Sequence, residues 1–158
     1  FKQKTAYEIK ECDWSSDVCS SDLVHVVARL VPHIGPTLGY RLEWGGRSIA
    51  YVSDHQQPVD GALTMPDGAR ELVQGVDLLI HDAQFTQAEF EHKRHWGHCT
   101  IDYARWLAAE CNVGTLALFH HDPTRTDDEL DDVGRACTSS GPLVVVAREG
   151  LTLSLDRR

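Results

Sequence analysis

The chain has 158 residues, of which 15 are Lys or Arg and 24 are Asp or Glu, so its formal net charge is −9. This acidic balance argues against a protein that grips nucleic-acid backbones through a generic basic face. No apolar stretch approaches the length of a transmembrane helix, so we expect no membrane partner.

The first 23 residues show neither helical nor strand periodicity. Residues 2–9 and 13–22 match, in order, the translations of two DNA-sequencing adapter strings. We therefore interpret 1–23 as a non-native leader, expected to be disordered, rather than as a genuine polar extension. The evolved domain is then predicted at 24–158, with an unknown segment lost before Val24.

Beyond that leader, the pattern predicts hairpins first, then alternating strands and helices, then a closing hairpin. Strands are predicted at 24–30, 38–44, 47–52, 76–80, 115–119, 142–147 and 151–155. Helices are predicted at 68–73, 86–93, 100–111 and 126–138, with a loop at 57–67. Gly45 and Gly46 predict a tight hairpin turn, and Thr100 predicts a helix cap. This order is typical of a layered α/β sandwich and not of a bundle or barrel.

Three cysteines follow the leader, namely Cys99, Cys111 and Cys137. An odd number without a CxxC pair is neither a disulfide framework nor a structural zinc motif. We expect reduced thiols in a cytoplasmic protein. A signal peptide upstream of Val24 stays an open alternative.

Four polar side chains follow apolar, strand-like runs at separated positions. They are His33, Asp54, His98 and His120. Imidazole and carboxylate groups presented from several loops are how a hydrolytic metal site is usually assembled. A lone histidine is more often structural, so each of these residues needs further support.

Five segments occur in one order: LVPHIGPTLGYRLE, IAYVSDH, DLLIHDAQF, GHCTIDYA and LALFHHDP. Together they resemble the metallo-β-lactamase fold, in the branch of ribonuclease Z and the cyclic-phosphate phosphodiesterases. The resemblance covers roughly 24–156. It implies an α/β fold that forms the C-terminal part of an αββα sandwich.

The resemblance also implies roles for the four residues. His33, Asp54 and His120 match metal ligands, and Asp54 matches the catalytic carboxylate that bridges two metals. His98 matches a catalytic histidine that protonates the leaving oxygen or holds the phosphoryl group. The implied cofactors are two divalent metal ions, zinc first and manganese as the alternative.

The family signature His-x-His-x-Asp-His is missing between Val24 and Arg158. In the family this motif supplies most of the metal ligands. We therefore expect the 158-residue chain to bind metal weakly and to catalyse little, while its full-length parent is a metal-dependent hydrolase.

Only 20 residues separate His33 from Asp54, and one tight hairpin fills them. Transfer-RNA-processing members of the family place a long arm there. The sequence therefore favours a small anionic substrate, a phosphodiester or cyclic phosphate, over transfer RNA. A homodimer is a separate possibility. The alternatives are a lactonase or thioesterase on the same scaffold, or a non-catalytic binding module.

The remaining histidines have plainer interpretations. His81 is predicted to be structural and to bond to the backbone, while His55 is predicted to lie in an exposed loop. The tract that holds His92 and His95 is predicted to be a solvated lid. His121 is either a partner of a ligand or a solvated cap. Cys99 has no neighbour in the sequence that marks it as a nucleophile.

Overall fold

A computed structural model describes residues 23–137 and 141–155 of the chain. The predicted leader at 1–23 lies outside the described residues, except for Leu23. The last residue of the helix predicted at 126–138 lies outside them as well.

The described residues contain one six-stranded sheet in which the strands lie side by side in chain order. The strands are β1 (His25–Val31), β2 (Thr37–Trp44), β3 (Arg47–Val52), β4 (Leu78–Asp82), β5 (Thr115–Phe119) and β6 (Leu143–Val146). The first three pair antiparallel, and β3 to β6 pair parallel. Gly45 and Gly46, at φ 58° and 74°, form the predicted turn between β2 and β3.

Four helices accompany the sheet: α1 (Asp67–Val73), α2 (Gln87–Lys93), α3 (Ile101–Glu110) and α4 (Asp127–Ala136). The predicted cap of α3 is confirmed, since the Thr100 hydroxyl accepts from the Tyr103 amide. Helices α2 and α4 each begin with a capping box, at Thr86 with Glu89 and at Thr126 with Glu129. Among the described residues, none of the helices is both long and apolar enough to cross a lipid bilayer.

The predicted α/β class is confirmed, but two predicted strands differ. Strand β4 lies two residues later than the predicted 76–80 and reaches Asp82. The predicted strand at 151–155 is wrong, because these residues pair with no strand in the described part of the chain. The Leu151 amide bonds back to the Arg148 carbonyl in a turn, and β6 pairs only with β5. A segment with alternating leucines forms a strand only where it can pair with the edge of a sheet.

The core lies between the sheet and helices α1 and α3. Its fully buried members include Leu72 and Val73 of α1, Leu79 of β4, and Leu107 of α3. The opposite face of the sheet carries a second apolar set, and no described element covers it. Its exposed side chains are Val26, Leu30, Leu38, Tyr40, Leu42 and Tyr51. We call this set the open face.

Strand direction brings several polar residues to one edge of the sheet. Because β1 runs parallel to β3, and β3 runs parallel to β4 and β5, all four strands end at the same edge. His33 follows β1, Asp54 follows β3, Asp82 ends β4 and His120 follows β5. The carboxyl ends of parallel strands are where α/β proteins commonly place their sites.

Candidate metal centre

The loops at this edge bring the four predicted site residues together. The rings of His98 and His120 stack with centroids 4.7 Å apart, and the rings of His33 and His98 lie 5.3 Å apart. His120 Nδ1 lies 4.0 Å from Asp54 Oδ1. Residues that are up to 87 positions apart in the chain therefore share one cluster.

Three of the four residues approach closely enough to share a cation. Asp54, His98 and His120 each offer one ligand atom, and these atoms lie within 4.8 Å of one another. The side chains of Asp54 and His120 are about one-third exposed, and that of His98 is 13% exposed. The predicted metal ligands were His33, Asp54 and His120. The three residues that lie within this distance include His98 instead of His33.

His33 is held slightly apart by a backbone carbonyl. Its Nδ1 lies 2.7 Å from the Gly97 carbonyl oxygen, which can only accept a hydrogen bond. In the neutral ring the proton is therefore on Nδ1, and the lone pair is on Nε2. This is the arrangement in which a histidine can bind a metal through Nε2.

The His33 ring occupies the space that a side chain at position 97 would need. The φ of Gly97 is +95°, and a Cβ atom there would lie 2.5 Å from the His33 ring. Both the backbone conformation and the close approach require glycine at this position.

His98 is oriented by a buried carboxylate that the sequence analysis had not selected. His98 Nδ1 lies 2.6 Å from Asp82 Oδ2, and Asp82 is fully buried. Burial alone would lower the pKa of His98, but the hydrogen bond and charge of Asp82, with Asp54 further away, raise it above its ordinary value. His98 is thus held ready to carry a proton, with Nε2 as its free nitrogen.

Asp82 is surrounded by hydrogen-bond donors. Its two oxygens accept from the backbone amides of His55, Gln84 and Cys99 at 3.1, 3.1 and 3.4 Å. These amides stabilise a charge that would otherwise be costly to bury. The sequence signal for this carboxylate is the pair His81-Asp82 at the end of a buried strand.

His120 lies directly after β5 in a left-handed conformation, with φ 56°. Residues other than glycine rarely adopt this conformation, although histidine tolerates it better than most. Such local strain is often found where a side chain must be aimed at a functional site. Here the turn directs the His120 ring onto His98 and towards Asp54.

The prediction that His55 lies in an exposed loop is wrong, because His55 is fully buried. Its Nδ1 lies 2.9 Å from His81 Nε2, and His81 Nδ1 lies 2.7 Å from the Asp82 carbonyl. His81 thus bonds to backbone, as predicted. Burial lowers the pKa of His55 well below its ordinary value, with the charge of His81 adding to the effect.

The segment predicted as a solvated lid begins in the last turn of α2 and is anchored at Lys93. Lys93 Nζ lies 2.7 Å from Asp122 Oδ2 and 5.3 Å from the centre of the Trp96 ring. Trp96 is 58% exposed, and His92 and His95 are also exposed. Aromatic and basic side chains therefore border the His33–His98 side of the cluster.

Two further predicted residues take non-catalytic positions. His121 Nε2 lies 3.2 Å from the Ala147 carbonyl, and burial lowers its pKa. Cys99 is fully buried, and burial raises its pKa well above the ordinary value, which keeps the thiol protonated. Neither residue belongs to the cluster of Asp54, His98 and His120.

The donor set fits a divalent metal ion. Zinc binds imidazole nitrogen and carboxylate oxygen at about 2.0–2.2 Å, so two ligands of one ion lie up to about 4 Å apart. The three donors lie within 4.8 Å of one another, which is close to that separation. Asp54 has two oxygens and can bridge two cations.

A sizeable cavity lies elsewhere in the described part of the molecule. It measures about 830 Å³ and borders Gly114 and Leu143, at the opposite ends of the parallel strands. Its described lining residues include Cys137 but no histidine or carboxylate.

The comparisons with known proteins agree with this geometry. The model of the β-lactamase superfamily domain matches residues 3–121. A ribonuclease Z of Parasynechococcus marenigrum is 37% identical over 92 residues, which are 56% of this chain and 29% of that protein. A ribonuclease Z of a Synechococcus species is 34% identical over 116 residues, which are 72% of this chain and 34% of that protein.

A solved structure shares the fold. Human tRNase Z, short form, superposes with a TM-score of 0.63 at 24% identity, over 84% of this chain and 42% of that one. The chain spans about a third of the length of the curated relatives it matches.

The relatives correct one expectation. The prediction that transfer RNA is disfavoured is wrong, because the curated relatives are ribonucleases Z. Net charge describes the whole chain, whereas substrate binding depends on local charge. The segment beside the cluster holds Lys93, Arg94 and exposed histidines. The chain belongs to the β-lactamase superfamily, and its sequence is similar to those of ribonucleases Z.

Proposed function

We propose that this chain supplies part of a dinuclear, zinc-type site for phosphodiester hydrolysis. The observation that carries the proposal is the cluster at the strand ends, where His120 Nδ1 lies 4.0 Å from Asp54 Oδ1 and the His98 ring lies between the rings of His120 and His33, at 4.7 and 5.3 Å. The ribonuclease Z relatives support the reaction class, and the fold supports the location of the site at the strand ends.

The metal ligands that we propose are His33, Asp54 and His120. Asp54 provides two carboxylate oxygens, and each histidine provides one imidazole nitrogen. Bound divalent ions would supply Lewis-acid polarisation of the phosphoryl oxygens and a reactive water at neutral pH. Zinc is the ion we propose first, because imidazole and carboxylate are among its preferred ligands, with manganese as the alternative.

His98 is proposed as the proton donor to the leaving oxygen. Asp82 fixes its Nδ1–H at 2.6 Å, so Nε2 is the atom that carries and releases the proton. The raised pKa of His98 favours the protonated form that a general acid needs. Asp82 itself orients the ring and does not contact the substrate.

For the substrate we propose an RNA phosphodiester first, because the curated relatives are ribonucleases Z. The second candidate is a small phosphodiester or cyclic phosphate. The short β2–β3 hairpin favours it, since two glycines make the whole turn and no arm projects between His33 and Asp54. A weakly active 158-residue chain stays our expectation in both cases.

A substrate screen with added Zn²⁺ or Mn²⁺ tests the proposal. Its substrates are a precursor transfer RNA with a 3′ trailer, a cyclic nucleotide, bis(4-nitrophenyl) phosphate, a lactone and a thioester. We expect slow, metal-dependent cleavage of phosphodiesters that Asp54→Ala abolishes and that the exposed control His95→Ala retains. Preferred cleavage of the lactone or thioester, or zinc binding unaffected by Asp54→Ala, would contradict it.

A further inference from the structure

Gln56 joins the three loops that carry His33, Asp54 and His98. Its backbone amide donates to the Pro32 carbonyl at 2.7 Å, next to His33. Its side-chain oxygen accepts from the Gly97 amide at 2.7 Å, and its side-chain nitrogen donates to the His98 carbonyl at 3.3 Å. Gln56 itself lies two residues after Asp54.

We propose that Gln56 is a positioning residue, whose amide side chain holds the Gly97–His98 loop so that His33 and His98 face Asp54. This inference rests on the proposed function only in that it assigns these three residues to one site. Gln56 contacts neither a metal nor a substrate in this account.

The contact of Gly97 explains how Gln56 reaches His33. The Gly97 amide is bound by Gln56, while the Gly97 carbonyl accepts from His33 Nδ1 at 2.7 Å. The backbone of Gly97 thus links the Gln56 side chain to the His33 ring through two hydrogen bonds. If the loop moves, His33 loses the acceptor that keeps its proton on Nδ1.

The chemistry of glutamine suits this position. The site needs an acceptor for the Gly97 amide and a donor for the His98 carbonyl at the end of one side chain. A primary amide offers both in a planar group without charge. A carboxylate would lack the donor, and an apolar side chain would leave both backbone groups of the loop without this partner.

The neighbouring Gln57 separates this role from a general structural one. Its side-chain oxygen accepts from the Thr100 amide at 2.7 Å, at the start of α3. Gln57 is buried, with 3% exposure, and it secures the helix. Gln56 is only half-buried, and its side chain bonds to the backbone of Gly97, which contacts His33, and to that of His98 itself.

Replacement by leucine tests the proposal, because Gln56→Leu keeps the approximate volume and removes the side-chain hydrogen bonds to the Gly97 amide and the His98 carbonyl, together with a local one to the Gln57 carbonyl. The matched control is Gln74→Leu, which removes one amide bond to the Cys111 carbonyl away from the cluster. The measurement is the ¹⁵N spectrum of the histidine rings in the full 158-residue chain without metal, together with hydrogen exchange of the Gly97 amide.

In the wild type and in Gln74→Leu we expect His33 protonated on Nδ1 only. In Gln56→Leu we expect His33 to populate both neutral tautomers and the Gly97 amide to exchange about tenfold faster, as expected for the loss of roughly one hydrogen bond. Unchanged His33 and Gly97 signals in a folded Gln56→Leu chain would overturn the inference.

A zinc titration completes the test. We expect about tenfold weaker zinc binding in Gln56→Leu than in Gln74→Leu, which is the usual effect of losing a residue that orients a ligand. Absence of zinc binding in the wild type would count against the proposed function, whereas the metal-free spectra judge Gln56 independently. If Gln56→Leu fails to fold, Gln56→Met provides the same readout with a flexible side chain. If neither variant folds, a role limited to positioning is contradicted.

Discussion

At the scale of single residues, the site depends on one buried charge. Asp82 is fully enclosed, yet each of its oxygens receives a backbone amide, and one also receives the His98 ring. The groups that contact its oxygens are hydrogen-bond donors. The charge therefore both orients His98 and raises its pKa.

Replacing this carboxylate by an amide tests that dependence. In Asp82→Asn the new NH₂ group faces donors, so we expect a loss of about 1–3 kcal/mol in the free energy of unfolding. We also expect the pKa of His98 to fall, because the raising effect of the charge is lost. An NMR titration of the His98 ring measures the second effect.

The matched control is Asp77→Asn at the far edge of the sheet. Asp77 accepts from the Ser48 amide at 2.8 Å and has no contact with the cluster. Its substitution should leave the titration of His98 unchanged. An unaltered His98 titration in Asp82→Asn would show that Asp82 does not set the charge state of the ring.

His81 makes stability depend on pH. Burial lowers its pKa, and the backbone and charge of Asp82 oppose this only partly. The neighbouring groups are the His55 ring, Asp82 and the Cys99 thiol. The unfolded chain gains a proton as the pH falls past about 6.5, whereas the folded chain resists it, so stability falls as the pH falls below that value.

Urea unfolding between pH 7.5 and 5.5 measures this effect. We expect His81 to add up to about 1.4 kcal/mol of lost stability per pH unit below its unfolded pKa. His81→Gln should reduce this slope, and the exposed control His92→Gln should not. A wild-type stability that stays constant or rises on acidification would contradict the buried, neutral His81.

At the scale of elements, the loop from Trp96 to Thr100 is the most constrained connection near the site. Gly97→Ala adds a Cβ atom 2.5 Å from the His33 ring in a backbone with φ +95°. We expect a loss of about 1–3 kcal/mol from this strain and clash. Chemical denaturation measures the loss.

Gly35→Ala is the control for that substitution, because an added Cβ there meets nothing within 4 Å and its φ lies outside the left-handed region. Its free energy of unfolding should change by less than about 0.5 kcal/mol. Equal effects of the two alanine substitutions would show that His33 does not rest against Gly97.

The order of elements could be predicted because local patterns were strong. The glycine pair between β2 and β3 and the cap at Thr100 are encoded in a few adjacent residues. The segment at 151–155 could not be judged in this way. Its alternation suits a strand, but a strand also needs a neighbouring edge, and that depends on residues far away in the chain.

The site was predictable to the extent that strand direction determines it. His33, Asp54 and His120 each follow a strand, and parallel directions bring them to one edge. The burial of His55 and the role of Asp82 were missed. Both depend on contacts between residues far apart in the chain, such as those of His55 with His81 and of Asp82 with His98 and Cys99, which no local pattern predicts.

At the scale of the whole molecule, the open face is the main liability of the described structure. Exposed apolar side chains on β1, β2 and β3 form a patch on that side of the sheet. Extended apolar patches mark surfaces that associate. We therefore expect the 158-residue chain to self-associate, and the predicted homodimer is one form this can take.

Sedimentation velocity at several concentrations tests this expectation. Leu42→Lys places a charge within the open face and should shift the population towards monomer. Val59→Lys changes a side chain of similar exposure, 42% against 37%, outside the sheet, and should leave association unchanged. A monomeric wild type at high concentration would contradict the expectation.

The central claim is that the strand ends at this edge form a metal centre. It is tested most directly by a zinc-loaded crystal of the chain measured at the zinc absorption edge. The account predicts anomalous density within about 2.3 Å of the Asp54 carboxylate and the His120 imidazole. Anomalous density only at the exposed His92 and His95, or none at all under saturating zinc, would contradict it.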